Sequence, residues 1–230
     1  MKNLVCLMGV AALLALVPAA NASLVINYEF GAGPVLTCAN GADDGPVICS
    51  FSGGGVNASI VSASSNSPGS LYNSEQFGSN LNVTSSANAT VKIWFSAQDF
   101  ALPVFGEYEG SLSTTSTSAN TTSTAMLTNC IDTTNGIAPS LGCAGGQIVN
   151  TTETLMGAGS KADTQFLNVP GPLTTPYSLE QQITLSLTPG SDFNVITSQS
   201  LTAVPEPAEG VLLATVLGAL ALLRKKFARS

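Results

Sequence analysis

Ile183-Thr184-Leu185-Ser186-Leu187-Thr188-Pro189-Gly190-Ser191-Asp192-Phe193-Asn194-Val195-Ile196-Thr197 is the stretch on which the fold turns. Apolar Ile183, Leu185 and Leu187 alternate with Thr184 and Ser186, a Pro-Gly pair intervenes, and Phe193, Val195 and Thr197 then alternate in turn. A period of two belongs to a strand with one buried face. Two such runs joined by a short turn predict a β-hairpin.

The same grammar recurs outward from this segment. Residues 24–30 read as a first strand ending at Gly31 and Gly33, and residues 51–61 as a strand interrupted by Gly53-Gly54-Gly55, a bulge or a bend. Residues 81–86 and 89–96 read as neighbouring strands, and residues 147–155 as another. Within 89–96, Val91, Ile93 and Phe95 share one face while Lys92 and Trp94 share the other. Trp94 is the chain's single tryptophan. It reads as cover for a second apolar layer or as a stacking platform for a sugar ring. Residues 111–124 are nearly all Ser, Thr and Asn, which fits either a solvent-facing strand pair or a flexible loop. No segment between the two ends has a helical period. The expected fold class is therefore all-β, a β-sandwich with roughly eight to twelve strands, for which a jelly roll is one candidate topology.

The two ends have another character. Lys2 precedes an apolar run over residues 4–17, Pro18 breaks it, and Ala20-Asn21-Ala22 offers a small-residue cleavage site that would leave Ser23 first. Residues 1–22 thus read as a signal peptide with its own short helix, Cys6 lying inside the discarded part. Residues 23–203 are the expected exported domain. Residues 204–230 form a tail in which Pro205-Glu206-Pro207 is followed by an uncharged run at 211–223 and by Arg224, Lys225, Lys226 and Arg229. A helix over that run would reach roughly 20 Å, short of the ~30 Å hydrocarbon core of a bilayer. The cations behind it favour the cytoplasmic side.

This ordered tail resembles the PEP-CTERM sorting signal of exosortase substrates in Gram-negative bacteria. The resemblance implies a transmembrane-like C-terminal helix, transient inner-membrane anchoring and processing near Pro205, Glu206 and Pro207 by an exosortase-like partner. It also implies delivery to the cell envelope or to an extracellular, biofilm-type matrix, with exopolysaccharide as a further partner. Closely similar tails carry the label of an ice-binding C-terminal domain. The threonine-rich segment has no fixed repeat that would build an ice-matching surface.

Composition narrows the chemistry. Between Ser23 and Val204 two lysines face twelve carboxylates, a net of −10, so nucleic acid and anionic lipid are poor partners. The chain has no histidine, which removes Ser-His-Asp and Cys-His catalysis. Cys38, Cys49, Cys130 and Cys143 remain after signal removal, and an even number in an exported chain predicts disulfides. Three connectivities are possible. Proximity favours Cys38 with Cys49 and Cys130 with Cys143, and pairing across the two loops is the competitor.

Metal and cofactor chemistry find little in the sequence. The acidic turn Asn40-Gly41-Ala42-Asp43-Asp44-Gly45 lacks EF-hand spacing, and no cofactor motif is present. Glu107 and Glu109, two apart on one strand face with Asp99 nearby, are the candidates for carboxylate-based glycoside hydrolysis; as plain surface charges they would serve solubility alone. The sequence therefore predicts a non-enzymatic, exported structural or adhesive protein. The alternative is a carbohydrate-binding module that uses an aromatic sheet face.

Overall fold

The computed structural model describes residues 23–42, 46–118, 122–137 and 148–204. Twelve strands lie among them: β1 (Ser23–Phe30), β2 (Leu36–Ala42), β3 (Val47–Gly53), β4 (Val56–Ser65), β5 (Asn73–Ser85), β6 (Ala89–Phe100), β7 (Gly106–Ser116), β8 (Thr122–Asp132), β9 (Ile148–Met156), β10 (Gly159–Val169), β11 (Tyr177–Leu187) and β12 (Ser191–Thr202). They form two six-stranded sheets, ordered β2-β1-β6-β11-β8-β9 and β10-β7-β12-β5-β4-β3. Every pairing within them is antiparallel. From β5 to β8, and again from β9 to β12, each strand lies in the opposite sheet from its predecessor.

This crossing changes the reading of the opening stretch. Residues 183–187 and 191–197 are strands as expected, yet they do not pair with one another. β11 lies between β6 and β8, whereas β12 lies between β5 and β7 in the other sheet. Thr188-Pro189-Gly190 carries the chain over the sandwich edge, where Ser191 N donates to Thr188 O at 3.1 Å. The neighbouring runs 81–86 and 89–96 are likewise separated, in β5 and β6 of opposite sheets.

The core lies between the sheets. Leu24, Ile26, Val91, Ile93, Phe95, Leu127, Ile183 and Leu185 from the first meet Val61, Leu81, Val83, Leu112, Phe193 and Val195 from the second, all buried. Each such side chain contributes about 1.5–3 kcal/mol of transfer free energy. Near the middle the packing turns polar. Thr197 Oγ1 donates to Gln181 Oε1 at 3.1 Å, and Gln181 Nε2 to Asn129 Oδ1 at 3.0 Å. Tyr108 hydrogen-bonds the Gln199 amide, which contacts Gln76. Of the Ser/Thr-rich segment, residues 111–116 end β7 and residues 122–124 begin β8, with Thr114, Ser116 and Ser123 buried. Hydroxyls there occupy places that apolar residues fill elsewhere.

A disulfide joins Cys38 on β2 to Cys49 on β3. Because β2 and β3 are the edge strands of opposite sheets, the bond clamps one open side of the sandwich. Replacing both cysteines with serine should lower the unfolding free energy by about 3 kcal/mol, the entropy removed by closing a loop of this size. Urea titration reads this directly; an unchanged midpoint would mean that strand pairing alone holds that edge. Cys130 is also disulfide-bonded. Cys143 lies outside the described residues, as do Asp43 and Asp44 of the acidic turn.

The sequence expectation for the two ends is corrected. Among the described residues there is no helix, and so none long and apolar enough to cross a membrane; residues 1–22 and 205–230, where a signal helix and a transmembrane-like helix were expected, lie outside them. An uncharged run of roughly 20 Å is in any case short for a bilayer core. The PEP-CTERM reading therefore finds no support among the described residues. With it go transient inner-membrane anchoring, the exosortase-like partner, and delivery by that route to envelope or matrix. Ala20, Ala22, Pro205, Glu206, Pro207, Arg224, Lys225 and Lys226, on which those expectations rested, lie outside the described residues. Ser23 opens β1, where its Oγ donates to Gln98 Oε1 at 2.7 Å.

Candidate functional site

Trp94 is on the face of β6 away from the core, as its register with Val91, Ile93 and Phe95 requires, but it is only 4% exposed. Its Nε1 donates to Gln182 Oε1 at 3.0 Å, and Gln182 lies directly opposite on β11. Buried and hydrogen-bonded, this indole offers no open ring face for a sugar.

The open aromatic surface is on the other sheet. Along β10, Leu167 packs against the core and Val169 is buried, so strand alternation sends Phe166 outward, where it is 58% exposed. Across the ladder Phe166 stands opposite Glu109 on β7, Glu109 opposite Ser200 on β12, and Ser200 opposite Glu75 on β5. The next row is Asn168, Glu107, Thr202 and Asn73, and the row on the other side begins Thr164, Ser111 and Ser198. Directly opposed residues point to the same side of a sheet. These rows therefore form one solvent-facing patch, roughly 14 Å across four strands at the usual spacing.

The patch pairs a flat apolar ring with polar acceptors and hydroxyls. Thr164 Oγ1 donates to Ser111 Oγ at 3.2 Å, and Asn73 Nδ2 donates to Glu75 Oε1, which fixes two of the polar groups. Tyr72 and Phe105, both exposed, stand at the end of the rows, immediately before β5 and β7. Glu75, Glu107 and Glu109 give the patch a negative field with no compensating cation among the described residues. Lys92 is on the first sheet, 3.6 Å from Glu29 Oε2, and Lys161 stands opposite Thr114 on a row facing the other way from Phe166. An anionic ligand would be repelled here, whereas a neutral polyol presents donors to carboxylate acceptors.

Glu107 and Glu109 do share a strand face, as their spacing predicts. Asp99 does not join them. It is the penultimate residue of β6 in the opposite sheet, at φ +65°, where Asp99 N donates to Asn135 Oδ1 at 2.9 Å and Asn135 Nδ2 donates back to Asp99 Oδ1 at 2.8 Å. The carboxylate set suggested for hydrolysis is thus divided between two sheets. No three Cys, Asp or Glu residues among those described converge to hold a metal ion.

Sequence reasoning passed over Phe166. It stands among Asp163, Thr164, Gln165 and Asn168, with no second aromatic to mark a pattern. The signal was present in Leu167 and Val169, whose alternation leaves Phe166 on the solvent side.

No family model matches the chain. No curated protein matches it. Among solved structures it is similar to TmCBM61 in complex with β-1,4-galactotriose, at 6% identity over 70% of this chain and 90% of that one, with a TM-score of 0.31. It is also similar to a family 11 carbohydrate-binding module from Clostridium thermocellum in complex with a β-1,3-1,4-mixed-linked tetrasaccharide, at 14% identity over 68% and 89%, TM-score 0.31. A third is the enzymatically active domain of bacteriophage CBA120 tailspike protein 4, at 13% identity over 59% and 18%, TM-score 0.33. At this depth the similarities assign no ligand or activity to the chain.

Proposed function

We propose that this chain is a non-catalytic carbohydrate-binding β-sandwich whose outer sheet face takes a neutral polysaccharide. The observation that carries the reading is Phe166, an exposed ring in register with Glu109, Ser200 and Glu75. The apolar face of a pyranose stacks on the ring, while the carboxylates and Asn168 take its hydroxyls. A structural or adhesive role delivered by a sorted tail is replaced by this one.

Phe166→Ala tests it. Losing one ring contact of roughly 60 Å² removes about 1.5 kcal/mol, so affinity for a bound neutral glycan should fall about tenfold. Folding should be unaffected, because the ring is solvent-facing. Affinity electrophoresis against galactan, mixed-linkage glucan and xylan measures the change. Equal retardation of wild type and variant, or no retardation of the folded wild type by any of the three, would sink the proposal. Affinity should also be insensitive to salt, since no ion pair forms with a neutral chain.

A further inference from the structure

At the opposite end of the sandwich from Tyr72 and Phe105, three connections meet around a cavity of about 260 Å³ lined by Phe30, Gly31, Gly54, Asn88, Ala89 and Thr90. They are the ends of β1, of the β3–β4 turn and of the β5–β6 turn. Backbone hydrogen bonds stitch them together. Gly31 N donates to Thr90 O at 2.8 Å, and Ser86 N donates to Gly55 O at 2.8 Å. The Phe30 ring is held edge-on by Tyr28 and Phe51, at centroid distances of 5.5 and 5.8 Å. It also rests on the β3–β4 turn, where a methyl group at Gly53 would meet it at 2.7 Å.

The lining selects a class of ligand. Gly31 and Gly54 sit at φ +62° and +58°, conformations that favour glycine, and with no side chains they leave the space beside Phe30 open. Asn88 and Thr90 are exposed, and each can both donate and accept a hydrogen bond. None of the six residues has an ionisable side chain. The volume lies below the roughly 300 Å³ at which pockets begin to take drug-sized molecules. One apolar floor, two neutral donor–acceptor groups and room for a single ring fit one neutral sugar unit.

We propose that this cavity is a second carbohydrate subsite, separate from the Phe166 face, that takes a single neutral pyranose ring stacked on Phe30 and hydrogen-bonded by Asn88 and Thr90. The test uses methyl β-glucopyranoside, methyl β-galactopyranoside and methyl β-xylopyranoside as probes, titrated into the isotopically labelled protein and followed by amide chemical shifts. At least one should shift Gly31, Gly54 and Thr90 saturably. Asn88→Ala should weaken that binding about tenfold, the loss of one or two hydrogen bonds. Phe166→Ala should leave it unchanged. Thr90→Val serves as a second variant, and an unchanged melting temperature confirms that either variant folds. Absence of saturable shifts with all three glycosides at their solubility limits would overturn the subsite, as would shifts confined to Phe166 and Glu109. Full affinity in both folded variants would overturn it too. Each of these results leaves the Phe166 face to stand or fall on its own titration.

Discussion

Gly106→Ala is expected to destabilise the protein by about 4 kcal/mol, combining backbone strain of about 1–3 kcal/mol with an overpacking cost of similar size. Gly106 opens β7 at φ +150°, a region that residues with a Cβ rarely enter. A methyl group there would lie 2.0 Å from Thr202 O and 2.7 Å from its carbonyl carbon. The obstacle is main chain on the neighbouring strand, so no rotamer change relieves it. The clash falls beside Glu107, which pairs with Thr202 and belongs to the patch proposed to bind sugar. Glycan affinity should therefore fall along with stability. Gly159→Ala is the matched control, because a Cβ there meets nothing within 4 Å. Denaturant melts of the two variants decide the matter, and a loss below about 1 kcal/mol for Gly106→Ala would show that β7 and β12 can separate at little cost.

The second large effect appears at alkaline pH. Burial pushes the Tyr108 phenol well above its ordinary value, and the nearby Glu180 charge pushes it further. Burial also raises Tyr177, against the opposing hydrogen bond to Ser74. Tyr177 Oη donates to Pro103 O at 2.8 Å and lies 2.8 Å from Ser74 Oγ, tying the start of β11 to the other sheet. Both residues are neutral when protonated, so the fold favours the protonated form. Their contribution is fully present below the unfolded tyrosine pKa of about 10 and is lost as pH rises toward the folded values. Each tyrosine costs about 1.4 kcal/mol per pH unit in that window, or about 3 kcal/mol for the pair. Two units would consume much of a typical stability of about 5–15 kcal/mol.

Urea midpoints measured at rising pH should therefore hold steady to about pH 10 and then fall steeply. Tyr108→Phe should be less stable at neutral pH, having lost its bond to Gln199, yet show about half the alkaline slope. A wild-type midpoint that stayed flat a full unit above pH 10 would contradict the assignment.

Particular residues show how far the sequence could be read. Ile183, Leu185, Phe193 and Val195 face the core as their alternation requires. Alternation reports which side of a strand is buried, not which strand lies beside it. Two strands facing one another across a sandwich display the same pattern as two strands paired in one sheet. The apparent hairpin at Thr188-Pro189-Gly190 and the apparent neighbours 81–86 and 89–96 were ambiguous for that reason. Trp94 shows a similar limit: its side of β6 was legible, whereas its burial depends on surroundings that no local pattern encodes. Ser116 and Ser123 are buried, although a segment of hydroxyls gave no apolar cue to an interior position. The Phe166 face could be located only after β10, β7, β12 and β5 were aligned, because its four rows come from four distant segments of chain.

The places of β11 and β12 also bear on synthesis. Each is an inner strand, bounded on both sides by strands made earlier. Until residues 177–202 emerge from the ribosome, β6 and β8 have no strand between them, and neither do β7 and β5. The nascent chain must then carry two divided half-sheets with open edges, the condition under which strands pair wrongly with other chains. Completion of both sheets waits on the same short segment, so assembly of this sandwich is a late and nearly simultaneous event rather than a vectorial one.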